Sequence, residues 1–83
     1  MESVVNDYIS RELVSKPELL PLRNDTLLLE AGILDSLSVL RLVLFLEQQF
    51  GIVVASEELI PENFETVEAI CAYLRTQQQG QRA

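Results

Sequence analysis

Residues 32–51 read GILDSLSVLRLVLFLEQQFG, and this stretch decides the fold. Apolar side chains recur from Leu37 to Phe50 at helical spacing, with no Gly or Pro inside the run to break it. Asp35 stands where a helix cap belongs, and Gly51 suits the left-handed position that follows a helix end. The pattern predicts a helix from Asp35 through Phe50, the longest in the chain. Val39, Leu42, Val43, Leu46 and Phe50 share one face, while Leu37, Leu40 and Leu44 lie on a stripe roughly 130° away. The first face is assigned to the core. The second begins one residue after Ser36 and is available to a partner. Two plainer readings stand beside that one: the preceding loop covers the stripe, or a second copy of the chain does.

Outward toward the N-terminus, Ile33 and Leu34 close a long connection that begins at Pro17 and contains Pro21 and the turn-forming Asn24-Asp25-Thr26. A structureless loop of that length is unfavourable in a small domain, so Leu27, Leu28 and Leu29 are expected to tuck into the core as an anchored turn. Before it, Val4, Val5, Tyr8, Ile9 and Leu13 mark a first helix, with Ser3 as its cap and Pro17 limiting it near Lys16.

Toward the C-terminus, Ile52-Val53-Val54 reads as an extended link with no strand partner elsewhere. Ser56 with Glu57, Glu58 and Leu59 opens one short helical turn, which Pro61 limits. Thr66 caps a last helix whose apolar stripe is Val67, Ile70, Cys71 and Leu74. From Gln77 onward nothing remains to be buried, so residues 77–83 are expected to be a disordered tail. There is no internal repeat and no coiled-coil pattern. The fold class is therefore all-α: a small four-helix bundle of three main helices and one short one.

A chain of 83 residues forms one domain. It buries about 60–65% of its unfolded surface, which leaves little space for a large internal pocket. Apolar residues make up 48% of it, too many for a disordered chain. Six basic against thirteen acidic side chains give a net charge of −7, with no run of Lys or Arg to neutralise phosphates. Nucleic acid is thereby disfavoured, and the acidic field favours partners with basic docking surfaces and a monomeric free protein. No apolar segment approaches the roughly 20 residues that span a bilayer, so no membrane partner is expected. The lone Cys71 has no partner for an internal disulfide, and Met1-Glu2-Ser3 lacks the features of a signal peptide, which together imply a cytoplasmic location.

The chain contains no histidine. A Ser-His-Asp triad is excluded, as is a histidine metal site, and one cysteine makes no structural zinc site. Asp35 does not replace the missing base for Ser36, because adjacent side chains at a helix start diverge. The acidic residues Glu57, Glu58, Glu62, Glu65 and Glu68 are spread through caps and turns as solvated carboxylates rather than as a metal cluster. Cys71 is read as a small core residue. Tyr8 and Tyr73 are expected at the bundle edge with their hydroxyls in water.

What remains is a serine in the first turn of the longest helix. There the unpaired N–H groups and the positive end of the helix dipole favour an attached anion, and the preceding loop leaves the hydroxyl accessible. In isolation, Asp-Ser before an apolar helix means no more than capping. Gly32-Ile33-Leu34-Asp35-Ser36-Leu37 nevertheless resembles the modification site of the acyl carrier and peptidyl carrier protein family. The likeness continues through Phe45-Leu46-Glu47-Gln48-Gln49-Phe50-Gly51-Ile52 and Pro61-Glu62-Asn63-Phe64-Glu65-Thr66-Val67, at matching spacing and over nearly the whole chain except the tail.

The resemblance implies a carrier domain over residues 1–76 and a non-catalytic role. It implies that a phosphopantetheinyl transferase takes 4'-phosphopantetheine from coenzyme A and esterifies Ser36, beside the helix cap Asp35. Cargo would then ride as a thioester on the cofactor's thiol. It would be loaded by an adenylating ligase or acyltransferase and used by a condensing, oxidising or transferring enzyme. Leu37, Leu40, Arg41, Leu44 and Glu47 are the expected partner-docking residues. Ser38, Leu40 and Arg41 depart from the acidic second helix of many fatty-acid carriers. That departure, with Pro61-Glu62-Asn63-Phe64, points to a free-standing carrier of nonribosomal peptide or polyketide biosynthesis. The alternative is an unmodified helical interaction module that uses the apolar face of the same helix.

Overall fold

A computed structural model describes residues 1–80, and every regular element among them is helical. Helix α1 spans Glu2–Tyr8 and widens without a break into a π-helical turn at Ile9–Leu13, where the Val14 N–H reaches back to the Ile9 carbonyl at 3.0 Å. Helix α2 spans Ser36–Phe50, the short α3 spans Pro61–Phe64, and α4 spans Val67–Gly80. Three main helices and one short one make up the bundle, as the periodicity predicts. Single 3-10 turns at Pro17–Leu19 and Ser56–Glu58 interrupt the connections.

Each main helix buries most of its expected stripe, the exceptions being Val4 of α1, which is exposed, and Tyr8, Val39 and Phe50, which are half-buried. Val5 and Ile9 of α1, Leu42 and Leu46 of α2, and Val67, Ile70, Cys71 and Leu74 of α4 are fully buried together. A wholly buried side chain of this kind contributes about 1.5–3 kcal/mol, enough for a few of them to decide the packing of so small a domain. Gly51 closes α2 at φ 66°, the left-handed conformation that needs no Cβ. The Ala69 N–H donates to the Thr66 hydroxyl at 2.9 Å, so Thr66 caps α4.

Five local readings change. Helix α1 begins at Glu2 with Met1 in the cap position and no side-chain cap, so Ser3 lies inside the helix. Of the Leu27-Leu28-Leu29 run only Leu28 is buried, while its neighbours stay exposed, because a single turn can direct just one of three consecutive side chains inward. The short turn that Ser56 opens forms and ends before Pro61, but the short helix of the bundle is a separate one that Pro61 begins, since its missing N–H costs nothing at the first helical position. Tyr73 is buried and its hydroxyl donates to Glu58 Oε1 at 2.9 Å, in place of water. Helix α4 continues to Gly80, past the point where the polar tail was expected to start, and Gln77 Nε2 donates to Glu58 Oε2 at 2.9 Å. Residues 81–83 lie outside the described residues.

The long connection is ordered by hydrogen bonds rather than by regular structure. Asn6 Nδ2 donates to the Leu22 carbonyl at 2.8 Å and to Asn24 Oδ1 at 2.9 Å, which ties the connection to α1. The Leu28 N–H donates to the Glu65 carbonyl at 2.8 Å, and the Glu68 N–H donates to the Asn24 carbonyl at 3.1 Å, which ties it to the start of α4. Among the described residues no helix is long and apolar enough to cross a membrane.

Candidate functional site

The approach to α2 fixes what its first turn exposes. The N–H groups of Ile33 and Leu34 both donate to the Leu28 carbonyl, at 2.9 and 3.1 Å, and both side chains are buried. Gly32, at φ 77°, turns the chain into this bend through a conformation that side-chain-bearing residues adopt with strain. With Ile33 and Leu34 pinned inward, Asp35 and Ser36 emerge at the surface.

Asp35 is extended, with φ −132° and ψ −172°, and its Oδ1 accepts from the Ser38 N–H at 2.8 Å. That hydrogen bond, and after it the Ser38 hydroxyl, hold the Asp35 carboxyl below the usual carboxylate range, so it is ionised at neutral pH. Ser36 is the first residue of α2 and is exposed. Among the described residues no group hydrogen-bonds its hydroxyl and none stands by as a base. The hydroxyl is accessible.

The stripe on α2 is open. Leu37, Leu40 and Leu44 are 69%, 53% and 58% exposed, so the preceding loop does not cover them. Arg41 lies along this exposed side, with its guanidinium 3.7 Å from Glu12 of the π-helical turn. Both partners are largely solvated, and such a pair is worth about 0–1 kcal/mol. Behind Arg41, the Tyr8 hydroxyl donates to its carbonyl at 3.4 Å, and the Tyr8 ring stacks on Phe45 with centroids 4.0 Å apart. Glu47 is placed differently from the leucines. Its Oε2 accepts from the Val54 N–H at 3.0 Å, so its carboxylate is engaged by the chain after α2.

Beside Ser36 lies a cleft of about 440 Å³, which periodicity alone did not reveal. Val39 and Leu40 of α2 form one wall; Leu59, Ile60 and Pro61 form the other, with Phe64 and Leu29 completing it. Asp35 and Ser36 are its only polar lining residues. The apolar character of Leu59 and Ile60 was the available signal, but nothing local shows that they face α2.

A family profile described as "Phosphopantetheine attachment site" matches residues 8–74. A chain of a solved structure described as "Crystal structure of FAD-dependent dehydrogenase" is similar at a TM-score of 0.76 with 35% identity, over 84% of this chain and 97% of that one. No curated protein matches the chain.

Proposed function

Because this chain belongs to the phosphopantetheine-attachment family, that of the acyl and peptidyl carrier proteins, we propose that it is a free-standing carrier of nonribosomal peptide or polyketide-type biosynthesis with Ser36 as its attachment residue. The family bears 4'-phosphopantetheine covalently, and the thiol of that group supplies the thioester bond to an acyl or aminoacyl cargo. The observation that carries the reading is the exposed Ser36 hydroxyl at the first residue of α2.

The local residues fit the group. The helix start offers backbone N–H groups and a positive dipole end to a phosphodiester. Asp35 occupies the Ser38 N–H and so fixes the turn on which Ser36 is presented. The apolar cleft adjoining the hydroxyl accepts the uncharged part of a tether or its cargo. Among the described residues no group hydrogen-bonds the Ser36 hydroxyl, which fits a role in which separate enzymes do the chemistry. Tethering raises the effective concentration of cargo at each of them.

Leu37, Leu40, Arg41 and Leu44 are the proposed docking face for the phosphopantetheinyl transferase, the loading ligase or acyltransferase, and the enzymes that use the cargo. Among the last, an oxidising partner is favoured. The similar chain, matched over 97% of its length, comes from a structure described as that of an FAD-dependent dehydrogenase. Glu47 is left out of the face, since its carboxylate is taken up by Val54.

Incubation with coenzyme A and a broad-specificity phosphopantetheinyl transferase tests the attachment. Intact mass should rise by one phosphopantetheine and should not change in Ser36→Ala. A folded protein that gains no mass would support the unmodified interaction module instead, and a gain that persists in Ser36→Ala would move the site to another serine.

A further inference from the structure

Among the described residues the carboxylate of Glu58 accepts three hydrogen bonds, one from its own segment and two from α4. Its Oε1 accepts from the Tyr73 hydroxyl at 2.9 Å and from the Ala55 N–H at 3.3 Å, and its Oε2 accepts from Gln77 Nε2 at 2.9 Å. Its backbone carbonyl accepts from Asn63 Nδ2 at 2.8 Å. One residue of a single 3-10 turn is thus bound to its own segment, to α3 and to two successive turns of α4.

The next two residues in the chain, Leu59 and Ile60, belong to the wall of the cleft that faces Val39 and Leu40. They are 37% and 42% exposed, so burial alone holds them weakly. The segment 54–60 is fastened at its start, where Glu47 of α2 holds the Val54 N–H. Beyond that point the hydrogen bonds that join it to α4 run through Glu58. Short connections with few buried contacts are the parts of a protein that open most readily, and hydrogen bonds to an ionised carboxylate are among the stronger restraints available to them.

We propose that Glu58, Tyr73 and Gln77 form a latch between segment 54–60 and α4, and that this latch positions the Leu59–Ile60 wall and so decides whether the cleft beside Ser36 is formed or open. None of the three lines the cleft, so they are positioning residues. Tyr73 serves both sides of the arrangement. Its ring lies 5.8 Å from that of Phe64, which lines the cleft, while its hydroxyl holds Glu58. Burial, and then the hydrogen bond to Glu58, push the ionisation of Tyr73 far up, so the phenol remains a donor at any physiological pH. The latch rests on the geometry of the cleft walls and does not require Ser36 to be modified.

Amide hydrogen exchange resolved by residue, on the full chain, tests the latch in Tyr73→Phe, in Glu58→Gln and in the double variant. Tyr73→Phe keeps the ring against Phe64 and removes only the donor. Losing a hydrogen bond to a charged acceptor should speed exchange at Ala55, Leu59 and Asn63 by roughly tenfold. Leu42 and Leu46 in α2 should keep their rates. The double variant should be no faster than Glu58→Gln, and binding of the neutral apolar dye Nile red should increase as the cleft opens. Unchanged rates at the three amides would overturn the proposal, as would an equal acceleration of every amide, which would mean that the network serves global stability only.

Discussion

Asp35 Oδ1 lies 2.8 Å from the backbone nitrogen of Ser38 and spans the residue between them that carries the free hydroxyl, Ser36. The cap therefore does two things at once: it satisfies an N–H that α2 itself leaves unpaired, and it fixes the turn from which Ser36 projects.

The protonation of Asp35 should be visible in stability. Its folded carboxyl titrates below the ordinary value of 3.8. The stabilisation is fully present above that value and is lost as pH falls through the lower, folded one. Thermal unfolding followed by circular dichroism should show Asp35→Ala with a lower midpoint at neutral pH and a shallower acid decline than the parent. Some decline should remain, because Arg75 also holds the Glu2 carboxyl low. Parallel acid limbs in the two proteins would contradict the cap.

Leu28 should matter far more than its neighbours. It is wholly buried, its N–H reaches Glu65, and its carbonyl holds Ile33 and Leu34. Leu28→Ala should lose about 2–5 kcal/mol in urea unfolding, a large share of the stability of a domain this small. Leu27→Ala, at an exposed site, should stay within about 0.5 kcal/mol of the parent. Comparable losses at the two positions would mean that the loop is not anchored through Leu28.

Substitution on the open face of α2 should spare the fold and impair recognition. Leu44 is exposed and does not line the cleft. Leu44→Asp should unfold within about 0.5 kcal/mol of the parent, while phosphopantetheine transfer slows by roughly tenfold, as expected for loss of one central apolar contact. Size-exclusion chromatography should give monomer for both proteins. A parent dimer that Leu44→Asp converts to monomer would assign the face to self-association.

Thiol counting separates the protein's own sulfur from that of the proposed attachment. Cys71 is completely buried, and burial, followed by the nearby Glu2 charge, pushes its thiol ionisation up. At pH 8 a thiolate-selective reagent should label no thiol rapidly in the native unmodified protein, one after phosphopantetheine transfer, and one more on unfolding. Rapid labelling of the native unmodified chain would show that Cys71 is reachable.

The sequence by itself determined the helices and their ends. The run from Leu37 to Phe50, bounded by Asp35 and Gly51, could only be a capped helix, and Thr66 marked the start of α4 in the same way. It also singled out the serine that opens the longest helix as the candidate attachment residue, in a chain that contains no histidine. These features are written in neighbouring residues, and periodicity and capping act over a few positions. Only the tertiary structure decided which apolar residues were left over. Leu28 and Leu27 are identical in type and adjacent, yet one is wholly buried and the other exposed, according to which side of a turn faces the core. The cleft beside Ser36 depends on Leu59 and Ile60 returning to α2 from more than twenty residues further along the chain. Glu58, which reads as one solvated carboxylate among several, gains its role from Tyr73 and Gln77, fifteen and nineteen residues away. Burial and long-range hydrogen bonds belong to pairs of distant residues, and no local pattern encodes them.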